Sequence, residues 1–219
     1  MAKLHIVGAG PGTPEYVTQA ARRAVQEAQL VIGAERSLNL FHEDIKGEIE
    51  TLTAKNINEA LQRAADSAKN GKAVALLSTG DSGFSGILES ILKRQLGKNV
   101  EINVVPGISS VQACAAKLCL CWDDSALFTF HDSVSEEKKR DLAGAVKSGK
   151  RVFLLPDPKT FPPSAVAAYL LEAKVDGKIS VAVCENLTLP NERIVETTLQ
   201  EASSQNFTSL CVMVIKLKD

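Results

Sequence analysis

The chain has 219 residues, 45% of them hydrophobic, and a formal net charge of -1. That length buries a sizeable core in one large or two small domains, and the balanced charge gives no electrostatic footprint for nucleic acid or a membrane surface. The apolar runs at 73–77 and 210–215 fall far short of the ~20 residues that span a bilayer, and the Met1 to Gly8 start reads as a strand, not a signal peptide. Five scattered cysteines (Cys114, Cys119, Cys121, Cys184 and Cys211) point to reduced thiols and the cytosol. Cys119-Leu120-Cys121 lacks companion ligands at metal spacing, so buried small side chains are expected there and no protein-bound metal.

In chain order, residues 4–8 form an apolar, β-branched run ending in glycine. Thr13-Pro14-Glu15 opens a predicted helix to about Ala28. Residues 30–32 predict a strand, 35–41 a short helix and 49–52 an edge strand. Asn56 with Glu59 resembles a capping box, ahead of an apolar stripe (Ile57, Ala60, Leu61, Ala64, Ala65, Ala68) that Asn70-Gly71 ends. The run at 73–77 is apolar throughout, as in a parallel strand covered on both faces. A helix bearing Ile87, Leu88, Ile91 and Leu92 follows, then a strand at 101–105. Ser109 and Gln112 form a second capping-box pattern for a helix to about Leu118. This alternation predicts an α/β domain over 1–118 with a mainly parallel sheet, and 119–124 is the candidate linker.

The remainder, 125–219, predicts a second α/β domain. It has strands at 127–131 and 152–155, helices after Ser135 and at 164–173, and late strands at 179–184, 194–198 and 210–217. Short connections between the late strands imply antiparallel pairs and hence a mixed sheet.

Three small-residue loops each follow a predicted strand: Gly8-Ala9-Gly10-Pro11-Gly12-Thr13-Pro14, Ser78-Thr79-Gly80-Asp81-Ser82-Gly83-Phe84-Ser85-Gly86, and Pro106-Gly107-Ile108-Ser109-Ser110. In a parallel α/β sheet such loops lie at the carboxyl edge, where ligands bind. Turns also use glycine for geometry alone. A dinucleotide fingerprint needs Gly-x-Gly-x-x-Gly, but the sixth position here is Thr13, and Pro11 removes an N–H donor. Glu35 stands where an acidic ribose-binding residue is expected, so a nicotinamide-dependent reductase stays open as the weaker alternative.

Taken together, Gly10-Pro11-Gly12 with Pro14, Gly80-Asp81-Ser82-Gly83-Phe84 and Pro106-Gly107-Ile108-Ser109-Ser110 resemble, in order and spacing, the tetrapyrrole (corrin/porphyrin) methylases. Val152-Phe153-Leu154-Leu155-Pro156 and the segment from Val181 to Thr188 resemble that family's second domain, so the resemblance spans essentially the whole chain. Ile32 to Arg36, Gly83-Phe84 and the Gln112 helix suit the subgroup acting at C(5) of a cobalt-precorrin. Ser82 departs from the family's usual Gly-Asp-Pro-Gly loop.

The resemblance implies two α/β domains with S-adenosyl-L-methionine in the cleft between them, and methylation of a (cobalt-)precorrin at C(5) in cobalamin biosynthesis. It assigns the cofactor to Pro11, Gly80, Asp81, Phe84, Ser109 and Ser110, and to Leu155, Cys184 and Leu187. Asp81 is the foremost of these, with a turn carboxylate bonding its own backbone as the plain alternative. Ser109 doubles as a helix cap, and Phe84 is a lid or simple core. Arg36, His131 and Glu185 are candidate substrate contacts, with Lys117 and Arg193 as further cations for substrate carboxylates. A capping role for His131 and a solvated strand end for Glu185 are the bland alternatives; His5 is read as structural and His42 as surface. A homodimer and a separate C(15) decarboxylating methyltransferase partner are expected. Other tetrapyrroles, a diphthamide precursor or ribosomal RNA stay open as substrates, as does a non-catalytic scaffold.

Overall fold

The computed structural model describes residues 3–216. It divides into two compact units, Met1–Ser109 and Ser110–Asp219.

In the first unit, β1 (Lys3–Gly8), β2 (Leu30–Gly33), β3 (Glu48–Thr51), β4 (Val74–Ser78) and β5 (Glu101–Val105) form a parallel sheet in the order β3-β2-β4-β1-β5. The side-chain period of two sends alternate residues to opposite faces, and both faces are apolar. Leu4, Ile6, Leu30, Ile32, Val74 and Leu76 pack under α3 (Ile57–Lys69), with Ile91 of α4 (Ile87–Lys93). Val7, Val31, Ala75, Leu77 and Val105 pack under α1 (Gln19–Gln26), with Leu38 of α2 (Glu35–Asn39) and Phe41.

The helix predicted from Thr13 to Ala28 is two pieces. A short 3-10 turn, Pro14–Tyr16, ends at Val17, which is extended (φ -81°, ψ 124°), and α1 restarts under the Thr18 hydroxyl, which accepts the Ala21 N–H. Two start signals five residues apart competed, and both were used. The Asn56 capping box does not form, because the Asn56 side-chain oxygen accepts from the Thr53 N–H (2.7 Å) and hydroxyl (2.9 Å) instead.

In the second unit, β6 (Ala126–Thr129), β7 (Val152–Leu155), β8 (Ser180–Glu185), β9 (Arg193–Thr198) and β10 (Cys211–Ile215) form a mixed sheet in the order β6-β7-β10-β8-β9. Only β6 and β7 pair in parallel; the three late strands pair antiparallel, as their short connections predicted. The far end of the last predicted strand, Leu217, lies outside the described residues. The helices are α5 (Ser110–Lys117), α6 (Glu136–Lys147), α7 (Pro163–Glu172) and α8 (Leu199–Ala202). α5, placed by the sequence with the first domain, is counted here with the second unit, where it touches β10. Ser135 caps α6 as expected, its hydroxyl accepting from the Lys138 N–H. The core joins Leu142 and Val146 of α6, Val166 and Leu170 of α7, and Val152, Leu154, Val181, Val183, Met213 and Ile215 of the sheet.

All five cysteines are free. Cys114, Cys184 and Cys211 are buried, but Cys119 and Cys121 are exposed, which corrects the expectation of buried side chains there. The two lie past the end of α5, where Cys119 takes φ 52° and the chain leaves the core. Among the described residues no helix is long and apolar enough to cross a membrane.

Candidate active site

β4, β1 and β5 are adjacent and parallel, with Gly8 level with Ser78 and Val7 level with Val105. The loops after these three strands therefore leave the same edge side by side. They do more than meet. Gly10 and Gly80 exchange backbone hydrogen bonds (Gly80 N–H to Gly10 oxygen 2.8 Å, the reverse 3.2 Å), and the Ala9 N–H donates to the Ser78 oxygen at 2.8 Å. Gly10 and Gly80 need φ of +83° and +68° for this, a region that disfavours side chains. A Cβ on Gly8 would sit 2.6 Å from Gly107 Cα and 2.8 Å from the Gly80 oxygen. The glycines let three stretches of backbone lie directly on one another.

Asp81 fastens the third loop. Its Oδ1 accepts the Gly83 N–H at 2.8 Å, closing its own turn, and its Oδ2 accepts the Gly107 N–H at 3.0 Å. The turn-forming role weighed for Asp81 is therefore present, with a second bond that spans 26 residues. Beside it Ser82 is fully buried, and its hydroxyl has no hydrogen-bond partner among the described residues. The Ser37 hydroxyl of α2, also buried, lies 3.3 Å from the Thr79 hydroxyl and ties α2 to the same loop.

Of the other first-unit residues assigned to the cofactor, Pro11 and Ser109 are buried and Phe84 is half-buried. Arg36 is exposed on α2 and has no ion pair among the described residues. His5 is buried and bonded through Nδ1 to the Asn103 carboxamide (2.9 Å), with burial first among the causes that lower its pKa; His42 is exposed.

In the second unit Leu155, Cys184 and Leu187 are buried at or just beyond the ends of β7 and β8, and Ser110, half-buried, begins α5. The Cys184 and Cys114 thiols are hydrogen-bond partners; that contact, with burial, pushes the Cys114 thiol far up. Glu185 is fully buried, not a solvated strand end. It pairs with Arg193, directly opposite on β9, and accepts the Thr208 N–H. Burial pushes its carboxyl up, and these partners outweigh burial and hold it below the ordinary range. Lys117 is likewise paired, with Glu192 at 2.8 Å. Glu185 and Arg193 thus pair with one another and Lys117 with Glu192, while Arg36 has no such pair among the described residues. His131 is exposed, and Asp157, a turn carboxylate, is held below its ordinary range first by the Thr160 N–H. Sequence reasoning treated Ser82 only as a departure from a family loop, named Thr188 only as the end of a family-like segment, and did not single out Glu192. Burial of a hydroxyl and a contact four residues along an irregular turn leave no periodic trace.

The loop geometry bears on the ligand. Around the first loop the N–H groups of Ala9 and Gly10 are already donated to protein, Pro11 has none, and the space above Gly8 and Gly107 is filled by backbone. These groups cannot cradle a pyrophosphate as the first turn of a dinucleotide fold does. The second loop offers acceptors and a hydroxyl: the remaining lone pairs of Asp81 and the Ser82 hydroxyl. They fit a ligand rich in donors, such as one bearing an ammonium and sugar hydroxyls.

The sequence profile of the tetrapyrrole (corrin/porphyrin) methylases matches residues 3–203. The chain is 37% identical over 212 residues to a protein of Methanocaldococcus jannaschii named "Probable cobalt-precorrin-7 C(5)-methyltransferase", covering 96% of each. It is 27% identical over 215 residues to that organism's cobalt-precorrin-4 C(11)-methyltransferase, covering 93% of this chain and 81% of that one. Its fold is that of the precorrin-6Y methylase of Archaeoglobus fulgidus (TM-score 0.75, 24% identity, 99% and 98% covered). It is also that of the uroporphyrin-III C-methyl transferase of Thermus thermophilus, solved with S-adenyl homocysteine (TM-score 0.76, 20% identity, 98% and 92% covered). With the family profile running along nearly its whole length and a close relative aligned end to end, the chain belongs to the tetrapyrrole (corrin/porphyrin) methylases, a family of methyltransferases.

Proposed function

We propose that this protein is an S-adenosylmethionine-dependent methyltransferase that methylates a cobalt-precorrin at C(5) in cobalamin biosynthesis. The observation that carries it is the 37% identity, along 96% of both chains, to the Methanocaldococcus jannaschii protein of that name. The first loop, whose Ala9 and Gly10 N–H groups are already donated to protein and whose Pro11 has none, supports this ligand over a nicotinamide dinucleotide.

S-adenosylmethionine, when bound, supplies a methyl group on a sulfonium that departs as a neutral thioether. The chain's own task is then to bind and orient. Asp81 has acceptor capacity left for an ammonium or ribose hydroxyl, and its two N–H bonds fix the carboxylate's direction. The Ser82 hydroxyl gains the partner that folding does not provide. Holding the reactants in line suffices for a transfer that needs no acid to assist departure. All five thiols are free, in keeping with a cytosolic enzyme. Homodimerisation and a separate C(15) decarboxylating methyltransferase complete the proposal.

The test is calorimetric titration with S-adenosylhomocysteine, followed by incubation with cobalt-precorrin-7 and methyl-labelled S-adenosylmethionine. Stoichiometric binding and a singly labelled corrinoid are expected. Folded protein that binds no S-adenosylhomocysteine, or binds it without labelling the corrinoid, refutes the respective half.

A further inference from the structure

Where β8 ends at Glu185 the chain turns sharply through Asn186, Leu187 and Thr188. Asn186 (φ 51°) and Thr188 (φ 69°) both take left-handed backbone conformations. Asparagine tolerates this region; a β-branched threonine occupies it only when its surroundings enforce it. Backbone bonds from the Asn186 N–H to the Leu210 oxygen (2.8 Å) and from the Leu189 N–H to the Asn186 oxygen (2.9 Å) hold the turn, and the side chain that joins them is that of Glu192. Its Oε2 accepts the Thr188 N–H at 2.7 Å, and its Oε1 accepts from the Lys117 ammonium of α5 at 2.8 Å. Between the two strained residues, Leu187 is buried. The Thr188 Oγ1 is also buried, and no group among the described residues bonds it.

Two separate costs therefore fall on one residue. Asparagine or glycine at 188 would relieve the backbone, and valine would remove the unmet hydroxyl, so stability alone does not account for threonine. We propose that Glu192, braced by Lys117, is a positioning residue that sets the 186–188 turn so that the Thr188 hydroxyl meets a polar group of a nucleoside-bearing cofactor. This rests on the methyltransferase function proposed above. Burial pushes the Glu192 carboxyl up, but Lys117 and the Thr188 N–H outweigh it and hold the group below the ordinary range, charged at neutral pH as a brace requires.

The experiment titrates S-adenosylhomocysteine into wild-type protein and Thr188→Val, Glu192→Ala, Glu192→Gln and Lys117→Met, with ligand-free melting temperatures measured in parallel. In Thr188→Val the affinity should fall about threefold to tenfold, the range of one neutral hydrogen bond. Its ligand-free melting temperature should hold or rise, which a merely structural threonine would not do. Glu192→Ala should lose at least as much affinity. Glu192→Gln should recover most of it, because its carbonyl still accepts the Thr188 N–H, and Lys117→Met should show a smaller loss. Affinity within about twofold of wild type in folded Thr188→Val or Glu192→Ala overturns the assignment. A folded wild-type protein that fails to bind defeats the methyltransferase function itself, a distinct result.

Discussion

Replacing Asp81 by asparagine tests whether one carboxylate holds the loop cluster together. The two oxygens accept N–H groups from Gly83 and Gly107, at 2.8 and 3.0 Å. Asparagine keeps one acceptor oxygen and turns an NH2 toward the other donor. A hydrogen bond to a charged group contributes roughly 1.5–3 kcal/mol, and relaxation recovers part of the loss, so the local cost is about 2 kcal/mol. At about 1.4 kcal/mol per factor of ten, that is roughly 30-fold in the equilibrium for opening the loop contact. Amide hydrogen exchange resolved by NMR reads this directly, with the β4 amides as internal reference. Protection at Gly107 should fall by that factor while β4 holds, and affinity for S-adenosylhomocysteine should weaken with it. Gly107 protection within about threefold of wild type refutes the latch.

A Cβ on Gly107 would meet Gly8 carbon atoms at 2.6 and 2.7 Å, backbone that cannot rotate away. Gly107→Ala should therefore lower stability by about 1–3 kcal/mol and abolish measurable cofactor binding, as denaturant titration and calorimetry would report. Gly144→Ala is the matched control: it lies inside α6 with nothing within 4 Å of the added carbon, and should stabilise by about 0.5–1 kcal/mol. The folded pKa of Glu185 lies below its ordinary value of 4.5, so the stability it contributes is fully present above that value and is lost as pH falls through the lower folded one. Urea unfolding between about pH 6 and pH 3 should show that loss, and Glu185→Gln should flatten it.

The alternation of strand and helix, the both-faces-buried β4 and the antiparallel late strands were legible because periodicity and connection length report burial and pairing. Local chemistry was less legible where two local solutions compete. Asn56 and Glu59 had the spacing of a capping box, but Thr53 claimed the Asn56 side chain; the box that forms is Thr198 with Glu201. Glu185 shows the intermediate case. Its partner Arg193 is eight residues on and becomes opposite only once the β8–β9 register is known. For Asp81, the bond to Gly83 is visible in any turn-forming sequence, whereas the bond to Gly107 exists only because β1 separates β4 from β5.

The order β4-β1-β5 also constrains the timetable of folding. The first of these strands to be made is the middle one, and it gains its first partner only when residues 74–78 have emerged and its second when 101–105 have. Non-local pairing of this kind is slow, because chain closure precedes any contact that rewards it. The Gly10–Gly80 exchange can therefore form once β4 has paired, while the contact of Gly107 with Gly8 waits for β5. The loop cluster is complete only once β5 has docked, and protection of the Gly107 amide would time the completion of the first unit.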